Sequence, residues 1–399
     1  MQVNTISLHL RFYTNIDIRE REYFMLLRMQ EVQFKPMGRI CMICLLYIIS
    51  ITLNGCIHKK TTEQEHLFLI RINGKNGFIN RKGSIIIKPQ FYGKPQSKGH
   101  DYNEFSEGLA FFSLRTTKNP KYGYIKTTGK VVIKPQFDEA ESFYEGLAAV
   151  RVGEGEAGKY GFIDNRGRYV INPQFDKVGN FSQGLAYVLV NGQYGYLDKT
   201  GKIVIEPQFF EANDFSEDLA VVGIGGLDAD GNVNTKYGYI DKRGKLVINP
   251  QFKTAWSFSE GLAAVEMNDK FGFIDKDGIF VVKPQFNNAW DFKGGLAVVS
   301  IVVGDEEKFG FIERTGKYAI NPRFYYTAGF SDGLAWVQPY NTSDNNLLID
   351  KSGKVILTRK DNYIYGGFVG GLSSFNTDYI DSKLGYIDKN GKVVWKPTK

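Results

Sequence analysis

The chain has 399 residues, with 50 Lys/Arg against 43 Asp/Glu, a net charge of +7, and 30 Phe and 23 Tyr. Its basic residues are interleaved with acids and form no concentrated stripe, so nucleic acid is not an expected partner. Cys41, Cys44, Cys56 and all four His (His9, His58, His66, His100) precede residue 101. Everything after that point therefore lacks a Cys nucleophile, a His-dependent triad and the usual zinc ligands. No enzymatic activity, metal or cofactor is expected.

Taken in chain order, residues 1–36 carry Asp17, Glu20, Glu22 and Glu31, which suit no leader, and read as an upstream extension before a true start at Met37. From Met37 the pattern changes. Arg39 precedes Ile40–Leu53, a 14-residue apolar, uncharged run. It is short for a membrane span, which needs roughly 20 residues, and it fits a signal-peptide core. Leu53-Asn54-Gly55-Cys56 follows and resembles the lipobox of bacterial lipoproteins, although Asn54 replaces the usual small or hydroxyl residue. On this reading residues 37–56 are a lipoprotein signal peptide, Cys56 is lipidated and residues 57–66 are a linker. Several acyl chains together would hold firmly. Ile57 in place of Asp implies, by analogy with such lipoproteins, the outer membrane in a diderm envelope.

Residues 67–399 restart nine times. An aromatic-Gly-aromatic segment leads to a Gly turn, a β-branched run, Pro-Gln-Phe and Phe-x-x-Gly-Leu-Ala. The motif glycines are Gly77, Gly123, Gly161, Gly195, Gly238, Gly272, Gly310 and Gly385, with a degenerate unit at Leu347–Asp350. In seven units Pro follows Gly at an interval of 12, from Pro89 to Pro322, whereas the length between Leu-Ala and the next aromatic-Gly varies. Fixed segments are framework and variable ones are exposed hairpin ends. Each unit predicts three strands. Strand A is the Leu-Ala-Ala-Val run, with an apolar register such as Ala148/Val150/Val152. Strand B holds the aromatic-Gly-aromatic, and strand C is the run that Pro is expected to end.

Asp-x-x-Gly joins B to C at Asp164, Asp198, Asp241, Asp275 and Asp388. This suits a type I turn closed by a left-handed Gly, with the Asp accepting from turn N–H groups. The strand-B glycine, lacking a side chain between two aromatics, lets a neighbouring backbone or ring approach closely.

Tyr194-Gly195-Tyr196-Leu197-Asp198-Lys199-Thr200-Gly201, continuing to Pro207-Gln208-Phe209, resembles the WG (KWG) repeat of bacterial secreted and lipid-anchored proteins. The resemblance covers about residues 67–399, with Tyr or Phe in place of the Trp before Gly. It implies repeat-mediated binding at the cell envelope. The expected fold is all-β, a tandem array of about nine three-stranded antiparallel units, solenoid-like or superhelical. The alternative is a β-propeller-like closed ring, which a short fourth strand in Phe137–Phe143 would favour.

The turn carboxylates and the Glu of Ser-Glu-Gly (Glu107, Glu145, Glu217, Glu260) recur too often to be catalytic and read as turn chemistry. Asp228–Asn232 faintly suggests a calcium loop but lacks the Gly at position six and the distal Glu, and reads as a polar hairpin tip. Trp256 and Trp290 stand at equivalent positions, read as matching Ala140, Ala212 and Ala328 elsewhere. They serve either as core volume or as an aromatic platform for a sugar ring or peptide. The expected function is a lipid-anchored, extracytoplasmic, non-catalytic binding or scaffolding surface for protein partners. The alternative is a cell-wall or glycan-binding module.

Overall fold

The computed structural model describes residues 66–92, 104–114, 119–227, 233–340, 345–361, 363–376 and 384–396. The upstream extension, the leader with Cys56, the linker as far as residue 65 and the loop 228–232 lie outside them. Residues 65–399 form one compact unit, in which all regular structure is antiparallel strand apart from a short 3-10 turn at Gly155–Ala157. Among the described residues no helix is long and apolar enough to cross a membrane.

Nine units are present among the described residues, with strand A running from Phe68–Ile72 in the first to Leu372–Asn376 in the ninth. Unit four is representative. Its sheet runs Lys177–Val178, Leu185–Val190 (A), Gln193–Asp198 (B) and Ile203–Phe209 (C), each hydrogen-bonded to the next. The first of these is the fourth strand anticipated above. It precedes strand A as a lead strand at Glu139–Tyr144, Lys177–Val178, Glu211–Ala212, Thr254–Ala255 and Asn288–Ala289.

Proline does not end strand C. Strand C of unit two runs through Pro135 to Phe137 and stays paired with strand B, Tyr124 opposite Ile133 and Tyr122 opposite Phe137. Four residues against two make a bulge, and bulges tolerate a residue without N–H. The strand-B glycine faces that bulge. A Cβ on Gly195 would lie 2.5 Å from the Ile205 carbonyl oxygen and 2.7 Å from the Pro207 nitrogen. The approaching group is thus the backbone of the same unit, not a stacked neighbour. The bulge bends strand C toward the next unit, where one residue later it becomes the lead strand. In units seven and eight the two merge into one strand, Tyr318–Thr327, which pairs first with Phe309 and then with Val337.

Between units the contacts are aromatic. The second aromatic of strand B meets the Phe of the next unit's Phe-x-x-Gly edge-on, in pairs such as Tyr124–Phe143, Phe162–Phe181, Tyr196–Phe215 and Phe273–Phe292, with centroids 4.8–5.0 Å apart. Each such pair contributes about 0.5–1.5 kcal/mol beyond its burial. The turn glycine between B and C, in the left-handed region, rests on the previous unit's strand C: Gly167 on Ile133, Gly201 on Ile171 and Gly278 on Ile248.

The same contact joins the ends, because Gly83 of unit one rests on Val394 of unit nine. The Tyr386 hydroxyl donates to the Leu69 carbonyl at 2.8 Å, and Phe68, Ile70 and Ile79 share a core with Leu372 and Tyr386. Of the two arrangements open from sequence, these contacts select the closed, propeller-like ring. Among the described residues unit one has no lead strand, and no Phe-x-x-Gly precedes it in the sequence. Phe68 stands where other units have Ala (Ala148, Ala186, Ala263), and its ring meets Tyr386 instead.

Gly195→Ala is expected to lower stability by roughly 2–4 kcal/mol, since backbone atoms on both sides must move. A urea-unfolding midpoint equal to that of the parent would contradict this packing.

Candidate functional site

The turn residues named from sequence hold backbone. Asp164 Oδ1 accepts from the N–H groups of Arg166 (2.9 Å) and Arg168 (3.0 Å). Asp198, Asp241, Asp275 and Asp388 do the same in their own units. Gly123, Gly161, Gly195, Gly238, Gly272 and Gly310 all face the bulge before Pro. Glu107, Glu145, Glu217 and Glu260 occupy two-residue turns at φ 51–52°. Their carboxylates reach the following unit: Glu145 accepts from Gly184 N–H at 3.0 Å and Glu260 from Gly295 N–H at 2.8 Å. Lys199 closes on Glu145 at 3.0 Å, and Lys276 on Glu217 at 3.2 Å. These carboxylates bind neighbouring turns and are committed.

The side chains that vary from unit to unit lie elsewhere, in the short segment of two positions before the Phe of Phe-x-x-Gly. Its flanks are invariant in character: a small or β-branched residue before it (Ala140, Val178, Ala212, Ala255, Ala289) and a buried Phe after it. Between them each unit differs: Glu141-Ser142, Gly179-Asn180, Asn213-Asp214, Trp256-Ser257, Trp290-Asp291 and Ala328-Gly329. The backbone there is fixed from both sides. Gly179, Asn213, Trp256, Trp290 and Ala328 each donate their N–H to strand A of their own unit. The carbonyls of Glu141, Asn213 and Trp256 each accept, at 2.8 Å, from the buried tyrosine of the preceding unit.

This geometry corrects the position assigned to the tryptophans. Ala140 and Ala212 correspond to Ala255 and Ala289; the counterparts of Trp256 and Trp290 are Glu141, Gly179, Asn213 and Ala328. Nor are they core. Trp256 is 44% exposed and Trp290 is 42% exposed, while Ala255 and Ala289 beside them are buried. Trp290 leans on Phe309, with centroids 5.7 Å apart.

The segment is acidic. Asp214, Asp291, Glu141 and the corresponding Glu104 of unit two contribute four carboxylates, and the paired positions named above contain no Lys or Arg. The charges of Asp214, Glu141 and Glu104, from three different units, add to desolvation in raising the Tyr144 phenol. Desolvation lifts Asp214 to about 6, against one backbone hydrogen bond from Asn180 that lowers it; its Oδ1 is buried without a partner. Desolvation also raises Asp291. Sequence reasoning missed these acids because they belong to no repeated motif; their departure from the repeat was the available signal. Among the described residues no group of His, Cys, Asp and Glu could hold a metal ion.

The architecture is that of an all-β tandem-repeat protein of propeller-like kind. A family model described as the WG containing repeat matches residues 77–115, 122–155, 160–194, 194–227, 237–271, 271–301 and 309–339, more than half of the chain. The chain belongs to this WG-repeat family. No curated protein matches its sequence. Among solved structures, a eukaryotic initiation factor is similar over 83% of this chain and 95% of its own, with a TM-score of 0.59 and 11% identity, a likeness of fold. AztD from Citrobacter koseri matches over 84% of this chain and 94% of its own, at TM-score 0.39 and 12% identity. BamB from Moraxella catarrhalis matches over 62% and 78%, at 0.35 and 13%.

A carboxyl whose folded pKa lies above its ordinary value of 3.8 favours the protonated state, so its ionisation costs stability as pH rises from about 4 to about 6 and thereafter. Asp214→Asn removes that cost. The variant should match the parent near pH 4 and exceed it by about 2 kcal/mol at pH 7–8, read from urea midpoints across pH. A constant difference across that range would contradict the assignment.

Proposed function

We propose that this chain is a lipid-anchored, extracytoplasmic repeat protein whose ring is a non-catalytic binding or scaffolding surface for protein partners. One observation carries the reading: a framework repeated nearly unchanged holds, at one corresponding place in units three to eight, side chains that differ from unit to unit, two of them exposed indoles. Rigid backbone with variable exposed residues is how repeat proteins present recognition surfaces. Membership of the WG-repeat family is consistent with this. The anchor rests on the leader and Cys56 alone.

Two experiments test it. In the first, the purified ring (residues 65–399) is immobilised and exposed to envelope extract. It should retain a defined protein that a Trp256→Ala/Trp290→Ala ring does not. Retention of the same proteins by both rings would remove the assigned surface. In the second, Cys56→Ser is expected to move the full chain from the detergent phase to the aqueous phase. Unchanged partitioning would refute the anchor while leaving the binding surface standing.

The exposed indoles also favour a second reading, a cell-wall glycan module, since flat aromatic faces stack on sugar rings. Co-sedimentation of the ring with purified peptidoglycan, lost on Trp→Ala, is its signature.

A further inference from the structure

Trp256 and Trp290 leave much of their indole surface exposed, although Trp290 rests in part on Phe309. Trp256 makes no ring contact, and neither indole N–H has a hydrogen-bond partner, among the described residues. An exposed acid, Asp291, follows Trp290 in sequence. The charge of Asp291 is felt at Tyr239, whose hydroxyl holds the Trp256 carbonyl at 2.8 Å.

Asp291 forms no ion pair among the described residues. Lys293, two residues on, sits on the turn position that Ser106, Ser182 and Ser259 fill elsewhere and does not pair with it. The chain's own cations stand over other rings: Arg151 over Tyr160, Lys177 over Tyr194, Lys308 over Tyr340 and Arg323 over Phe324. Among the described residues none covers either tryptophan.

We propose that Trp256, Asp291 and Trp290 form a pincer for an Arg or Lys side chain projecting from an extended segment of a protein partner. This deepens the binding-surface reading and rests on it. An indole attracts a cation through the negative face of its ring, and a carboxylate alongside supplies the counter-charge. The further carboxylates Asp214 and Glu104, with no base at the corresponding positions, favour a segment carrying more than one cation. A neutral sugar would use the indoles but gain nothing from that excess of negative charge. Charge complementarity therefore selects the basic segment over the glycan.

The test uses the full chain in detergent, titrated calorimetrically with acetyl-(Gly-Arg)4-amide, acetyl-(Gly-Gln)4-amide and a chitin tetrasaccharide. The Arg peptide should bind and the Gln peptide should not. Trp256→Ala, Trp290→Ala and Asp291→Asn should each weaken Arg-peptide binding about three- to thirty-fold, the range that one exposed to desolvated cation–π contact spans. Asp269→Asn, at an exposed acid on a remote hairpin, should leave it unchanged. All three site changes are at exposed side chains, and parental urea midpoints would show that the ring is intact.

Equal affinity for the Arg and Gln peptides overturns the proposal, as does a loss that Asp269→Asn reproduces. Binding of the tetrasaccharide but not the Arg peptide also overturns it, in favour of the glycan module. If the Arg peptide fails while the ring still retains an envelope protein through Trp256 and Trp290, the cation pincer falls and the binding-surface reading survives.

Discussion

The ring depends on the close approach of two backbones inside each unit. Strand C carries an extra pair of residues before its Phe, and the resulting bulge presses Pro and the preceding carbonyl onto strand B. Only glycine leaves room there. The bulge has a consequence larger than itself, because it turns strand C out of its own sheet and into the next as the lead strand. Units are thereby joined by a bent strand and not by a loose loop, which fixes the angle between neighbours. It also fixes where the next Phe lands, under the second aromatic of the previous strand B.

That geometry explains why the exposed segment after the lead strand can vary. Its N–H is satisfied by strand A and, in several units, its carbonyl by the preceding unit's tyrosine, so backbone position does not depend on which side chain it carries. Glu, Gly, Asn, Trp and Ala all occupy the site without altering the path. By contrast, the turn carboxylates are locked by the N–H groups of their own or the next turn and by basic neighbours.

Closure of the ring follows the same rules with substitutions. At the seam, among the described residues, the last unit meets the first without a shared strand. In an ordinary unit the tyrosine hydroxyl bonds the lead segment, which in turn bonds strand A; at the seam Tyr386 bonds the strand A carbonyl of Leu69 directly. Phe68 fills the volume of the missing Phe. In unit nine the ring of Phe375 lies against Gly385.

The sequence by itself determined the repeat, the antiparallel strands, the Asp-x-x-Gly turns and the need for glycine in strand B, because these are local: they follow from spacing, β-branching and positive φ within some twenty residues. It also fixed membership of the WG-repeat family. It did not decide whether the array closes, since curvature accumulates from small inter-unit angles and only the meeting of Gly83 with Val394 reveals the sum. It misplaced strand C's end, because proline is excluded from a regular ladder but not from a bulge. It aligned the tryptophans with Ala140 and Ala212, one residue off, and in an extended segment one residue is the difference between core and surface. The hydroxyl of Tyr239 on the Trp256 carbonyl is a property of two adjacent units packed together, and only the tertiary structure could place it.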